Sequence, residues 1–246
     1  MKPIRKVALS KEGNQYYIRD LDADFHTKEG FIRKEDLKKN SVVKTNLGSE
    51  LFIFEPDFMD CYKKIKRLPQ VIPLKDTGAI VAYTGINKNS KIVDAGAGSG
   101  ALSLFLAHLA KEVTTYELRD DFIAVVKENM EFMKIKNLTI KKKDITQGIE
   151  EKNVDLVTLD VPKPWEALGS VEKSLKLGGF LVSYSPTIVQ VSDLVNKLAE
   201  HKSLMHLKTI EIIEREWEVV ERKVRPMSQM LGHSGFLTFI RKVASK

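Results

Sequence analysis

Between Lys91 and Leu102 the chain reads Lys-Ile-Val-Asp-Ala-Gly-Ala-Gly-Ser-Gly-Ala-Leu. An apolar pair, Ile92 and Val93, runs into an acid, Asp94, and three glycines follow at alternate positions, Gly96, Gly98 and Gly100. A mainly apolar run over 101–109 comes next. Glycine at that spacing lets the backbone turn tightly and approach a ligand, because no Cβ stands in the way. A strand, such a loop and then a helix open the nucleotide-binding half of an open α/β sheet.

From residue 76 onward the chain keeps to that plan. Apolar patterning predicts strands over 91–94, 113–117, 138–143, 154–160 and 180–183. Helices are expected over 77–83, 101–111, 121–133, 165–175 (ended by Gly178-Gly179) and 188–200. Alternation of this kind gives a parallel sheet with helices on both faces. Two last strands, over 207–213 and 235–241, flank about twenty residues with few helical signals, so they are expected to pair as an antiparallel end to the sheet. The first 65 or so residues differ. Apolar stretches over 16–18, 42–43 and 51–54 alternate with turns over 11–13, 28–30 and 46–48, and a short connecting helix is expected over 57–67. A chain of 246 residues holds one good core and a small extra domain. The expected division is a β-rich domain with its connecting helix over 1–68 and an α/β domain over 69–246.

Composition limits the function classes. Nothing approaches eighteen consecutive apolar residues, so no transmembrane helix is expected. The opening Met1-Lys-Pro-Ile-Arg-Lys-Val lacks the apolar core of a signal peptide. The single cysteine, Cys61, excludes an intrachain disulfide and reads as a packed hydrophobe. The chain reads as cytoplasmic, with no membrane contact and no metal. Forty Lys and Arg against thirty-three Asp and Glu leave a net charge of +7. That charge suits a polyanionic partner, although clusters such as Lys63-Lys64-Ile65-Lys66-Arg67 and Arg222-Lys223-Val224-Arg225 also read as solvated faces.

Four acids fall at the carboxyl ends of expected strands: Asp94, Glu117, Asp144 and Asp160. Ligands of open α/β sheets bind at those ends. Glu117 lies twenty-one residues beyond Gly96, where an acid accepts hydrogen bonds from both ribose hydroxyls. Asp144 is placed to reach an adenine amino group. After the fourth strand comes Leu159-Asp-Val-Pro-Lys-Pro-Trp165. Its two prolines fix the backbone. Trp165 offers a face on which a base can stack, or else it is the core residue of a rigid turn.

Asp94-Ala-Gly-Ala-Gly-Ser-Gly100 with Glu117 and Asp144 resembles the S-adenosylmethionine site of class I methyltransferases. The Gly-x-Gly-x-Gly spacing and the antiparallel final strand favour that cofactor over NAD. The expected fold is therefore a Rossmann-like class I methyltransferase sheet, mostly parallel, behind a small N-terminal β-rich domain. The resemblance implies that Gly96, Gly98, Ser99, Gly100 and Ala101 carry the methionine end, with Asp94 and Leu102 also among the cofactor-binding residues. It also implies that Glu117 and Leu118 hold the ribose, Asp144 and Ile145 the adenine, and that Asp160 borders the same site.

The α/β domain further resembles the tRNA adenine-N1 methyltransferases of the T-loop, which act at position 58 and, in archaeal members, also at 57. The segments carrying this are Pro69-Gln-Val71, Lys75-Asp76, Leu159-Asp160 with Pro164-Trp165, Ser183-Tyr184-Ser-Pro186 with Gln190-Val191, and Arg225-Pro226 with Gly232-His-Ser-Gly-Phe-Leu237. The resemblance implies that Asp160 is the catalytic acid on adenine N6. Tyr184 would line the adenine pocket, His233 would stand beside it, and Arg225 would touch tRNA. It also implies a homotetramer. The family often places an aromatic residue or His before a Pro-Lys-Asp triplet; here the segment reads Ile72-Pro73-Leu74-Lys75-Asp76, which removes the side chain a stacking contact would use. Two other readings stay open: a methyltransferase of a small molecule or precorrin-like ring, and an RNA-binding partner subunit without catalysis.

Overall fold

The computed structural model describes residues 1–69 and 71–244. Gln70, within one of the segments quoted above, lies outside them. Two compact units are present, Met1–Lys66 with Glu128–Lys134, and Arg67–Lys127 with Ile135–Lys246.

The first unit is built of β1 (Lys6–Ser10), β2 (Gln15–Ile18), β3 (Phe25–Thr27), β4 (Gly30–Ile32), α1 (Lys34–Leu37), β5 (Val42–Lys44), β6 (Glu50–Phe54) and α2 (Phe58–Tyr62). Four strands form an antiparallel sheet in the order β2-β1-β6-β5, and β3 pairs with β4. Side chains alternate along β6: Leu51 and Ile53 are buried with Ala8, Ile18 and Val43, while Phe52 and Phe54 face outward. The expected helix over 57–67 is only the five residues of α2. Asp57 and Asp60 start it with a reciprocal capping box. Beyond it, the Asn129 side chain binds both the N–H and the C=O of Lys66 at 2.9 Å, which holds that backbone out of a helix.

The second unit runs α3 (Leu74–Thr84), β7 (Lys91–Ala95), α4 (Ala101–Leu109), β8 (Glu112–Glu117), α5 (Asp120–Met133, of which residues 128–133 fall in the first unit), β9 (Leu138–Lys142), β10 (Val154–Leu159), α6 (Leu168–Ser174), β11 (Leu175–Ser185), α7 (Ile188–Lys197), β12 (Leu204–Glu211), β13 (Trp217–Val220), β14 (Lys223–Pro226) and β15 (Phe236–Lys242). The seven-stranded sheet has the order β12-β15-β11-β10-β7-β8-β9. From β11 to β9 every pairing is parallel, and β15 is antiparallel to both neighbours. Val93, Val157 and Leu181, on adjacent strands, pack with Leu168, Val171, Leu194 and Ile240 in one core. The chain order reverses at β7, between β8 and β10, so a crevice opens beyond the carboxyl ends of these strands.

Two expectations change. Gly178-Gly179 does not terminate a helix: α6 ends at Ser174 and both glycines lie inside β11, where its register against β10 shifts between Val154 and Leu156. A Cβ on Gly179 would lie 2.9 Å from the Val154 carbonyl oxygen, so the irregularity needs glycine there. The segment between the last two sheet strands is also not plain loop. It carries the exposed hairpin β13–β14, with Trp217, Val219, Val220 and Val224 open to solvent and Arg225 paired to Glu218. Among the described residues no helix is long and apolar enough to cross a membrane.

Candidate active site

The three glycines have three different reasons to be glycine, although all have positive φ (+85°, +54° and +78°). A Cβ on Gly96 would stand 1.9 Å from the backbone oxygen of Asp160, because the loop passes directly over the end of β10. A Cβ on Gly100 would press on Val126 at 3.0 Å. Only Gly98 has open space beside it, the nearest atom being the Gly96 carbonyl oxygen at 4.0 Å. The freedom to approach a ligand thus belongs to Gly98, and the other two positions make room for protein. Gly100 lines neither of the cavities described below.

Glu117 ends β8 and fixes this loop. Its Oε2 accepts the Gly98 N–H at 3.2 Å, and its Oε1 accepts the N–H groups of Leu118 and Arg119 at 2.8 and 3.0 Å. Asp144 caps the turn after β9, accepting from the Thr146 N–H and hydroxyl at 2.8 Å. Between them lies a cavity of about 330 Å³ bordered by Gly96, Gly98, Glu117, Leu118, Asp144, Ile145 and Asp160. Arg119 and Phe122, not singled out from the sequence, complete its rim, with the guanidinium 3.8 Å from the ring centroid and held by Asp121. Their signal was their position, within five residues after Glu117. The remaining expected cofactor residues, Asp94, Ser99, Ala101 and Leu102, border a space of about 20 Å³ together with Gly96, Gly98 and Asp160. That is room for roughly one water molecule.

Asp94 is buried in the sheet and accepts hydroxyl hydrogen bonds from Thr158 at 2.6 Å and Thr115 at 2.9 Å, on either side of it. Burial pushes its carboxyl above the usual carboxylate range, and the two hydroxyls pull against that shift. Asp160, just past β10, donates its N–H to the Ala95 carbonyl at 2.9 Å. Its carboxylate has no hydrogen bond among the described residues. Burial first, and then the charge of Asp94, push Asp160 up to about 7.

A second cavity, of about 250 Å³, is also bordered by Asp160, together with Val71, Pro73, Tyr184, Pro186, Leu231, His233 and Ser234. The Tyr184 hydroxyl donates to the Ser234 carbonyl at 2.6 Å, and burial holds its pKa up at about 12. His233 is committed at both nitrogens, to Glu211 at 2.5 Å and to the Pro186 carbonyl at 2.9 Å. Both partners are acceptors, which favours the doubly protonated ring, and the Glu211 contact raises its pKa. Trp165 is in neither cavity. It packs partly buried against the main core, beside α7, and does not offer a stacking face next to Asp160.

An antiparallel final strand inserted beside β11, with a glycine loop after β7 and an acid after β8, defines a class I methyltransferase. The family model of the tRNA methyltransferase complex GCD14 subunit matches residues 63–225, and the chain belongs to that family. It is 32% identical over 266 residues to the tRNA (adenine(57)-N(1)/adenine(58)-N(1))-methyltransferase TrmI of Methanocaldococcus jannaschii, covering 96% of this chain and 94% of that protein. Among solved structures, the tRNA (m1A58) methyltransferase TrmI from Aquifex aeolicus superposes with a TM-score of 0.83 at 25% identity, over 99% of both chains. A protein from Thermotoga maritima described as an S-adenosylmethionine-dependent O-methyltransferase gives 0.85 at 27% identity, over 100% of this chain and 95% of that one.

S-adenosylmethionine fits the larger cavity on the structure's own terms. Gly98 leaves the loop open, the Glu117 carboxylate is pre-oriented at the cavity wall, and Asp144 with Ile145 closes the far end.

Proposed function

We propose that this chain transfers a methyl group from S-adenosylmethionine to N1 of an adenine in the tRNA T-loop, at position 58. The observation that carries the proposal is that Asp160 borders both the cofactor-sized cavity and the second cavity. A side chain in that position touches donor and acceptor at once.

Gly98, Glu117, Leu118, Asp144 and Ile145 would hold the cofactor, which when bound supplies an electrophilic methyl group. The second cavity takes the adenine. N1 has an in-plane lone pair and needs no prior deprotonation; as it gains the methyl group, positive charge builds on the ring and the N6 protons become acidic. The Asp160 carboxylate accepts the N6–H hydrogen bond, stabilises that charge and takes the proton. No other side chain lining the second cavity is a free base: the Tyr184 hydroxyl, both His233 nitrogens and the Ser234 hydroxyl are already engaged. His233 and Tyr184 therefore shape the pocket and leave the proton to Asp160. The target base must be drawn out of the folded tRNA, which costs a few kcal/mol. Contacts from Lys and Arg to phosphates offset that cost, in keeping with the net charge of +7. A homo-oligomer is part of the same reading, supported by the exposed apolar side chains of the β13–β14 hairpin.

The test is to incubate the chain with labelled S-adenosylmethionine and unmodified tRNA transcript and to map the product nucleoside by mass spectrometry. N1-methyladenosine in the T-loop is expected. Label in a different nucleoside, or transfer to small molecules only, overturns the proposal.

A further inference from the structure

Three consecutive residues fasten the chain where it returns from the β13–β14 hairpin into β15. His233 holds Glu211 and the Pro186 carbonyl, as described above. The Ser234 hydroxyl accepts from the Lys75 ammonium at 2.6 Å and donates to an Asp76 oxygen at 2.8 Å. Gly235 is pressed so closely on the Tyr184 ring that a Cβ there would lie 2.5 Å from it. Just before this clasp, Gly232 has nothing within 4 Å of its Cβ position and Leu231 is exposed.

Lys75 and Asp76, in the first turn of α3, form the other half. Lys75 donates to both Asp76 oxygens, at 3.0 and 2.9 Å. The Asp76 side chain is 0% exposed and that of Lys75 only 8%. A buried ion pair is a poor source of stability, since desolvation consumes most of the attraction unless every remaining donor and acceptor is satisfied. Two apolar residues would hold α3 in place as well. This pair instead has its third partner in Ser234, some 158 positions later in the chain. Ser234 in turn accepts the Tyr184 hydroxyl on its own carbonyl. The polar chain runs from Lys75 and Asp76 through Ser234 to Tyr184, and it ends in the wall of the cavity that Asp160 borders.

We propose that Lys75, Asp76 and Ser234 are positioning residues that set the acceptor-side wall, acting on the substrate base through Tyr184 and not through the cofactor. The proposal rests on the reading of that cavity as the adenine site. Lys75 and Asp76 line neither cavity, and the Ser234 hydroxyl is bound to both of them. Their effect is alignment, to which a methyl transfer is steeply sensitive, a 1 Å displacement costing about a hundredfold in rate.

Ser234→Ala is the informative variant, because the Lys75–Asp76 contacts survive it. With tRNA, kcat is expected to fall by about tenfold or more, while the Kd for S-adenosylmethionine, measured by calorimetry, is unchanged. The isosteric pair Ser234→Thr and Ser234→Val separates the hydroxyl from its shape: Thr restores turnover and Val does not, and this comparison decides the matter if the Ala variant fails to fold. In a double-mutant cycle, Ser234→Ala adds little to Tyr184→Phe, as coupled residues require. Wild-type kcat in Ser234→Ala, equal turnover in the Thr and Val variants, a parallel loss of cofactor affinity, or full additivity with Tyr184→Phe overturns the proposal. A wild-type enzyme that makes no N1-methyladenosine overturns the underlying adenine reading instead, so the two failures are distinct.

Discussion

Asp94 and Asp160 stand at the ends of the adjacent strands β7 and β10, and the charge of Asp94, added to burial, pushes the Asp160 carboxyl up to about 7. Asp94 itself is held by Thr115 and Thr158 and has no role at the acceptor. Burial first, and then a buried acid on the neighbouring strand, thus poise Asp160 near neutrality, which is what the proposed function asks of it.

The first consequence is a pH profile. Asp160 accepts from N6–H only when ionised, so kcat/KM, which reports the free enzyme, should rise as pH increases through about 7 and level off above it. Steady-state rates between pH 5.5 and 9 check this. An acid limb centred in the ordinary carboxylate range would show that neither burial nor Asp94 raises Asp160.

Stability should run the other way. A carboxyl whose folded pKa is raised contributes stability that is complete below its unfolded value and lost as pH climbs through the folded one. Replacing it by a neutral isostere removes that loss. Asp160→Asn should therefore melt higher than the wild type at pH 8, by ~1 kcal/mol or more, and match it below about pH 4. Its methyl transfer should drop by at least about a hundredfold. A variant that is inactive and also less stable at pH 8 would point to a structural role.

The glycine loop separates folding from binding. Gly96→Ala places a methyl group against the Asp160 backbone at a positive φ, so it should cost well over ~1 kcal/mol and lower the melting temperature. Gly98→Ala has room for its Cβ and should fold with a smaller loss. Its defect should appear as weakened S-adenosylmethionine binding, since that Cβ points into the opening that the loop leaves free. Melting curves and titration calorimetry on the two variants test the division; equal losses of stability would contradict it.

Local chemistry decided what the sequence made legible. The strand–helix alternation, the glycine loop and the acids at strand ends follow from periodicity and backbone conformation within a few residues, and the sheet carries all of them where they were read. The hairpin β13–β14 was missed because its strands are short and exposed, with no buried face to impose alternation. Trp165 kept two readings, a stacking face or the core residue of a rigid turn, because a proline-fixed turn states rigidity and not direction; the structure has it against the core. The Lys75–Asp76–Ser234 contacts were invisible as such, since nothing local to either segment says that residues so far apart in the chain share a hydrogen bond. The same limit applies to Gly96, which borders the cavity its motif suggests but is also constrained by the end of β10.

A last prediction uses the coupling at the centre of the sheet. The Thr158 hydroxyl lowers the pKa of Asp94 by donating to it at 2.6 Å. Thr158→Val keeps the shape of the side chain and removes that donor, leaving a buried carboxylate oxygen unpaired at a cost of about 1–3 kcal/mol. The pKa of Asp94 then rises further, so Asp94 carries less negative charge at a given pH. A neutral Asp94 no longer repels charge on Asp160, whose own pKa must fall. The acid limb of kcat/KM should therefore move to lower pH in Thr158→Val even though no residue touching substrate has changed. An acid limb that stays in place or moves upward would show that burial alone sets Asp160.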